Sequence, residues 1–175
     1  MGILNDTLNS LLTLYQAVFL LRLIMQMTRA DFRNPLARAV LQLTDPVVLP
    51  LRRMLPPVGK TDTATVVAIL LLSAAKVAVS LLLLRFGLPG VVGLLHALFV
   101  DVIRLVLNTY LIAIILNAIL SFVAPGNYSP AQSLLSSVCD PVLAPVRKLI
   151  PSPSAIDLSP LWVCVAISIL LRLIH

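Results

Sequence analysis

The sequence predicts an all-α membrane protein: four transmembrane helices formed by two tandem repeats, each with a proline-rich amphipathic segment at the membrane interface. Of its 175 residues, 59% are hydrophobic and 11% are charged, whereas a soluble domain carries about 25% charged residues. The hydrophobic residues also fall into blocks of about 20, and a helix of that length crosses a hydrocarbon core of about 30 Å. Both features indicate a membrane protein, and a repeated motif divides the chain into two halves.

The motif occurs twice, at an offset of 95 residues. The copies begin at Asp45 and Asp140 and read DPVVLPLRRMLP and DPVLAPVRKLIP. The offset continues outside the motif, because Tyr15 corresponds to Tyr110. An internal repeat of this kind indicates that one helical unit is used twice. We therefore expect a first repeat over 1–85, a connector over 86–101 and a second repeat over 102–175.

The expected spans follow from the apolar blocks, two to each repeat. The connector is apolar between 91 and 100, and it either extends the third helix or forms a separate interfacial helix. Because Asp101 falls in the connector, no acidic residue is expected well inside a span. The four expected spans cover about 8–27, 64–84, 102–122 and 158–175.

Polar side chains inside these spans are exceptional, because hydrocarbon does not solvate them. Lys76 lies near the middle of the second span, where an unpaired charge costs roughly 2.5–3.5 kcal/mol, so it should face protein, water or a partner subunit. Arg22 and Gln26 lie near the end of the first span, from which a long side chain can reach the headgroups. Asn117 occupies the position in the second repeat that Arg22 holds in the first. This shared polar position predicts a site that faces a neighbouring helix.

Twelve of the thirteen prolines lie between the paired spans, in 28–63 and 124–160. This density predicts that no long continuous helix forms there. A short amphipathic helix is nevertheless expected over about 35–44 and, in the second copy, over about 130–139. Its apolar face should lie on lipid at the membrane interface or, alternatively, on protein.

Each copy of the motif should form a single helical turn followed by a bend. Aspartate before proline favours a helix start, and a second proline four residues later clashes with a helical carbonyl. The cations that follow are expected either to anchor the chain to anionic headgroups or to form a specific anion or lipid site. The motif residues are Asp45, Pro46, Pro50, Arg52 and Arg53 in the first copy, and Asp140, Pro141, Pro145, Arg147 and Lys148 in the second.

No arrangement of residues points to a reaction. The two histidines lack metal-ligand spacing, the two cysteines form no CxxC pair, and no glycine-rich phosphate loop is present. We therefore expect no enzyme activity, no catalytic residue, no cofactor and no metal. The net charge of +6 is explained by cations that flank spans on the cytoplasmic side, so nucleic acid is not expected as a partner. By the same rule the segments between paired spans should be cytoplasmic and both termini periplasmic.

Three stretches of the chain resemble the bacterial YggT family, whose chloroplast and Gram-positive relatives are called YlmG. They are Gln26-x-x-x-Ala30-Asp31-Phe32-x-Asn34-Pro35, the doubled aspartate–proline motif, and Asp157-x-Ser159-Pro160. The resemblance implies a small multi-pass protein of the bacterial inner membrane without an established catalytic activity. In the second copy Ser129 stands where the first has Asn34, so the two copies have diverged.

The resemblance further implies links to osmotic-stress tolerance and ion homeostasis, to cell or plastid division, and to haem attachment on a cytochrome b-type protein. We therefore expect a non-enzymatic protein that supports osmotic tolerance or membrane-protein assembly. Its expected partners are membrane lipids with anionic headgroups, further copies of itself or other membrane proteins. The alternative is a small-ion transporter or channel subunit with a polar path along Lys76, Arg22 and Asn117.

Overall fold

The computed structural model describes residues 2–55, 61–84, 90–123, 129–149 and 157–174, and the helices in these ranges number six. The all-α class that the sequence predicts is confirmed. The helices are α1 (Gly2–Met27), α2 (Pro35–Met54), α3 (Thr63–Leu84), α4 (Val91–Val123), α5 (Pro130–Leu149) and α6 (Ser159–Leu173).

Three of these helices are long and apolar enough to cross a membrane, namely α1, α3 and α4. The fourth span is expected over about 158–175, where α6 is apolar but only 15 residues long. At 1.5 Å per residue it measures about 22 Å, which is shorter than a hydrocarbon core of about 30 Å. The described residues therefore contain three helices that could span a membrane, and α6 is the candidate for a fourth.

The connector does not form a helix of its own. α4 is continuous over its 33 residues, so residues 91–101 extend the third span. The amide of Leu94 donates to the carbonyl of Gly90 at 3.0 Å, which places the first turn of α4 directly after Gly90. Asp101 consequently lies inside a long apolar helix, where the sequence analysis did not expect an acidic residue.

The expected turn and bend in each motif is wrong, because helices run through both copies. Pro46 and Pro50 lie inside α2, and Pro141 and Pro145 lie inside α5. Two prolines four residues apart share one helix face, and all four side chains are exposed. The carbonyls that lose their amide donors therefore lie on the outer face, where water and headgroups can satisfy them. That position makes two prolines tolerable in helices twice as long as the expected 35–44 and 130–139.

The face on which α2 packs differs from the expected one. Ala37, Val40, Thr44 and Val48 are buried, and α2 contacts α1 and α3. Leu43, which the periodicity places on the lipid-facing side with Val40, is 58% exposed. α2 thus has a protein-facing stripe beside an apolar surface that faces outward. In α5 the corresponding stripe is Leu134, Val138, Cys139 and Leu143.

The same pattern of helix contacts occurs among α1–α3 and among α4–α6. In the first half α1 contacts α2 and α3, and α2 contacts α3; in the second half α4 contacts α5 and α6, and α5 contacts α6. The halves meet where α4 lies against α1 and α3, and where α5 lies against α1 and α2. At the start of α2 the Asn34 Nδ2 atom donates to the Pro130 carbonyl at 2.6 Å. Among the described helices α6 contacts only α4 and α5, so it lies at the edge of the bundle.

Two substitutions in α2 should separate its protein-facing side from its outer side. Val48→Asp places a carboxylate where the side chain is fully buried, and we expect it to destabilise the fold by at least about 3 kcal/mol. Leu43→Asp changes an outward side chain and should leave the fold in detergent nearly unchanged. Thermal unfolding of the purified variants in one detergent measures both. Equal losses would show that Leu43 is also packed against protein.

Candidate functional site

The first motif joins the end of α2 to the start of α3 through an arginine–aspartate pair. The Nε atom of Arg52 donates to the two carboxylate oxygens of Asp62 at 3.2 and 3.1 Å, and its Nη2 atom donates to Oδ2 at 2.5 Å. Asp62 is buried and also accepts a hydrogen bond from the Thr65 hydroxyl at 2.8 Å. Arg52 is therefore a bidentate partner of a carboxylate within the chain.

The environment of Asp62 keeps it ionised. Burial raises the pKa of its carboxyl, but the hydrogen bonds from Arg52 and Thr65 together with the charge of Arg52 outweigh burial and hold the pKa below its usual value. The same pairing raises the pKa of the Arg52 guanidinium. At neutral pH the two groups are thus a charged pair, which joins the end of α2 to the residue that precedes α3.

The second motif has the equivalent pair in a more exposed setting. The Nε atom of Arg147 donates to Asp157 Oδ2 at 2.7 Å, and its Nη1 atom donates to Asp140 Oδ1 at 3.3 Å. Asp157 Oδ1 accepts from the Ser159 amide at 2.9 Å, at the start of α6. Burial raises the pKa of Asp157, but its hydrogen bonds with Ser159 and Arg147 lower it by more. One arginine therefore serves two carboxylates in this half.

Arg22 and Asn117, the polar position shared by the repeats, both join a long helix to an amphipathic one. Arg22 is 3% exposed, and its Nη1 atom donates to Thr44 Oγ1 at 2.6 Å and to Asp45 Oδ1 at 2.7 Å. In the second half Asn117 Oδ1 accepts from the Ser136 hydroxyl at 3.3 Å. The position thus faces a neighbouring helix in each half, through an ion pair in the first and a neutral hydrogen bond in the second.

The other two cations of the motif, Arg53 and Lys148, differ from Arg52 and Arg147 in their contacts. Arg53 and Lys148 are exposed, and within the described residues neither forms an ion pair or a hydrogen bond. Of the four motif cations, Arg52 and Arg147 therefore bind aspartates near helix ends, and Arg53 and Lys148 project from the surface of the described residues. Gln26 is half-buried and lines a cavity of about 390 Å³ together with Arg22, Asp45 and Arg52.

A second polar cluster, composed of Gln16, Ser73, Lys76 and Asp101, lies in the middle of the bundle. Lys76 Nζ is 2.5 Å from Asp101 Oδ1 and 3.3 Å from Gln16 Oε1. Asp101 Oδ2 accepts from the Ser73 hydroxyl at 2.7 Å and from Gln16 Nε2 at 3.3 Å. Lys76 belongs to α3 and Asp101 to α4, so this ion pair links the first half of the chain to the second.

Lys76 therefore faces protein, one of the surroundings expected for it. Gln16, Ser73 and Asp101 were not predicted from the sequence as members of this cluster. The charge of Lys76 could have indicated such a cluster, because a cation in the middle of a span requires an acidic partner. Asp101 was not considered as that partner because the apolar pattern placed it outside the expected spans. A cavity of about 930 Å³ borders this cluster, and its polar lining residues are Asn9, Lys76, Ser80, His96, Asp101 and Arg104.

The three residues of the alternative polar path are not brought together. Lys76 binds Asp101, Arg22 binds Asp45, and Asn117 binds Ser136. Along α1, the fully buried Phe19 lies between Gln16 of the central cluster and Arg22. Within the described ranges no group of three or more His, Cys, Asp or Glu side chains could hold a metal ion.

Comparison with known proteins gives one family. A family model described as CCB3/YggT matches residues 1–83 and 96–175. The chain is 38% identical over 164 residues to the uncharacterized protein PA0392 of Pseudomonas aeruginosa, covering 93% of this chain and 83% of that protein. It is 36% identical over 163 residues to the uncharacterized protein YggT of Escherichia coli K12, covering 92% and 83%. No solved structure matches the chain significantly.

A double-substitution cycle should show whether the central ion pair stabilises the fold. Lys76→Met leaves Asp101 without its cation, and Asp101→Asn leaves a buried ammonium, so we expect each to cost about 3–5 kcal/mol. The double variant removes both charges and should lose less stability than either single variant. Unfolding in mixed micelles measures the three free energies, with Arg172→Met, at the exposed end of α6, as the control. Losses that simply add would rule out coupling between the two residues.

Proposed function

This chain belongs to the CCB3/YggT family, and from that premise we propose a non-enzymatic role in the bacterial inner membrane. The protein supports the assembly of other membrane proteins and the organisation of the membrane, and thereby the tolerance of osmotic stress and ion homeostasis. The observation that carries the proposal is that charged side chains pair with one another within the chain. Arg22, Arg52, Lys76 and Arg147 are each bound to an aspartate of the same chain.

Charges that are paired within the chain favour a scaffold over a carrier. A carrier needs polar groups that exchange partners with its cargo along a path. Here the internal pairs connect helix to helix, while outward apolar side chains such as Ile112, Ile119 and Leu170 are suited to contacts with lipid and with other transmembrane helices. The free cations Arg53 and Lys148 suit contact with anionic headgroups or with an acidic partner.

Membership of the CCB3/YggT family also supports an arrangement of four spans that two repeats supply in pairs. The helix contacts of the first half recur in the second, and the two segments that match the family model begin 95 residues apart, as the two motifs do. α6 then serves as the fourth span. Segments 28–63 and 124–160 hold eight of the thirteen Lys and Arg residues, so we place them in the cytoplasm and the termini in the periplasm. Assembly as a homo-oligomer belongs to the same proposal.

The alternative of a small-ion transporter or channel subunit is favoured by one observation. The cavity of about 930 Å³ extends from Asn9, near the start of the chain, to the Lys76–Asp101 pair. A cavity that reaches an ion pair between apolar helices is a feature of transport proteins. Ion flux into proteoliposomes that is abolished by Asp101→Asn would favour this alternative.

Cysteine labelling should determine the topology. In a background with Cys139→Ala and Cys164→Ala, single cysteines at Ser10 and Gly90 should react with a membrane-impermeant maleimide added to spheroplasts. A cysteine at Ala144 should react only after the membrane is opened. Space is available at Gly90, because a Cβ atom there meets nothing within 4 Å. Labelling of Ser10 and Ala144 from the same side would contradict the paired-span arrangement.

The free cations provide the test of function. Reversing both, with Arg53→Asp and Lys148→Asp, should impair growth after a hyperosmotic shift, since each basic residue near an anionic leaflet contributes about 1 kcal/mol to membrane attraction. The charge-retaining pair Arg53→Lys and Lys148→Arg should grow normally. The abundance of other inner-membrane proteins, measured by quantitative mass spectrometry, should fall with the growth defect. If deletion of the gene changes neither growth nor those abundances, the proposed role is wrong.

A further inference from the structure

The contacts between the two halves of the chain are one-sided. α3, the last helix of the first half, lies against α4, the first helix of the second half. α6 is the last helix of the second half, yet among the described helices it contacts only α4 and α5. If a two-fold axis related the halves, α6 would meet α1 as α3 meets α4. The surfaces of α6 and α1 that correspond to this contact therefore do not meet within one chain.

The polar contact between α3 and α4 has a counterpart pair in the sequence. The Ser73 side chain is fully buried, and its hydroxyl donates to Asp101 Oδ2 at 2.7 Å. At the offset of 95 residues Ser73 corresponds to Ser168 of α6, and Asp101 corresponds to Asp6 of α1. Both counterparts are exposed. The chain thus carries a second hydroxyl and a second acid of this kind on two helices that do not touch.

The same two surfaces carry opposite charges. Asp6 accepts a hydrogen bond of 3.4 Å from the side-chain amide of the preceding residue, and it forms no ion pair within the described ranges. Arg172 is exposed and likewise forms no ion pair there. It lies four residues after Ser168, so the two side chains share one face of α6. Its counterpart in α3, Val77, lines the same cavity as Asp101, so a longer side chain at this position could reach the acid.

The two surfaces lie at matching levels and are apolar beyond the polar groups. Asn9 of α1 and Leu173 of α6 line one cavity of about 930 Å³, so the start of α1 and the end of α6 lie at the same end of the bundle. Exposed apolar side chains continue both surfaces away from this end, and they are Leu14 on α1 and Leu161 and Val165 on α6. Two such helices, placed side by side in opposite directions, would bring the acid, the hydroxyl and the arginine together.

We propose that α6 of one copy of this protein packs against α1 of a second copy. In this interface Ser168 and Arg172 donate to the Asp6 carboxylate of the neighbouring copy. The contact repeats between copies what α3 and α4 do within one chain. Because different surfaces meet, the assembly is head to tail, and it either closes into a ring or continues as a row in the membrane. The inference rests on the proposed homo-oligomer and names its interface.

The complementarity of the two surfaces favours a second copy over other occupants. Within one chain α1 and α6 both contact α4 but not each other, so Asp6 and Ser168 need a neighbouring molecule to meet. Lipid tails can cover the apolar side chains, but they offer no donor to Asp6 and no acceptor to Arg172. A second copy supplies the acid, the donors and the apolar side chains at once, since each copy carries the complement of the surface that it exposes.

Disulfide cross-linking in native membranes tests the interface, in a full-length background with Cys139→Ala and Cys164→Ala. A copy with Asp6→Cys and a copy with Ser168→Cys, co-expressed with different tags, should form a covalent dimer that carries both tags. Each single variant expressed alone should give at least about tenfold less covalent dimer, because a head-to-tail contact does not bring two identical positions together. Both substitutions in one chain should give covalent dimers and larger products.

Two control positions separate this interface from random collision in the membrane. Leu4→Cys replaces Asp6→Cys, and Leu170→Cys replaces Ser168→Cys. Each lies two residues away and is therefore on nearly the opposite face of its helix. Both control side chains are exposed, so they are equally open to an oxidant. We expect little covalent dimer from the control pair.

Reversal of the charges tests the chemistry of the contact. Asp6→Arg or Arg172→Asp alone should weaken association by at least about tenfold, because like charges then face each other. The double variant should restore association, since the pair forms again in the opposite sense. Energy transfer between labelled copies, diluted with lipid in proteoliposomes, measures association. Both side chains are exposed within one chain, so unfolding of the chain dispersed in micelles should be unchanged and serves as the control for folding.

Three results would overturn the proposed interface. The first is a cross-link between Asp6→Cys and Ser168→Cys within one chain without dimer. The second is dimer from Ser168→Cys alone at the level of the mixed pair, which would indicate a two-fold contact between α6 helices. The third is an oligomer that dilutes normally but gives no cross-link, and it would leave the proposed homo-oligomer in place with another interface. A monomer at every lipid ratio would overturn both proposals, whatever the growth after osmotic shift.

Discussion

An ionised side chain inside a membrane must have a partner, and this requirement explains how the helices of this protein are arranged. Each internal ion pair joins two different elements: Arg22 and Asp45 join α1 to α2, and Lys76 and Asp101 join α3 to α4. Removing one partner would leave a desolvated charge, which costs far more than the pair gains. The pairs therefore specify one helix arrangement against others that bury the same apolar surface. Apolar contacts alone discriminate less well in lipid, because lipid tails compete for them.

Hydrophobic periodicity and the length of the apolar blocks were sufficient to predict the long helices from the sequence. They could not place the partner of Lys76, because Asp101 is 25 residues away in the chain and stands at the edge of an apolar block. Its depth depends on where α4 begins, and local pattern leaves that open. The motif aspartates and arginines were found from sequence, but their partners were not. Asp45 binds Arg22 of α1, and Arg52 binds Asp62 just before α3, so both pairs depend on how α2 packs against its neighbours.

The prolines show a second limit of prediction from the sequence, one in which a local rule was applied too strictly. A local rule, that proline breaks a helix, led to a bend where the structure has helices through both copies. The rule describes the loss of one hydrogen bond and a steric contact, and on an exposed face solvent can replace the lost hydrogen bond. The tertiary position of that face, which packing against α1 and α4 determines, lies beyond what a single segment reveals. The packing of α2 against its neighbours likewise determines that Val40 is buried while Leu43 is exposed.

The length of α4 has a consequence for the surrounding lipid. Its 33 residues measure about 50 Å, and fitting all of them into a hydrocarbon core of about 30 Å would need a tilt of more than about 50°. Transmembrane helices tilt by about 0–40°, so part of α4 rises above the average core. The first turns of that helix, including Val91, Val92 and Leu95, are apolar and exposed. These apolar turns therefore either lie at the level of the headgroups or require a locally thickened bilayer.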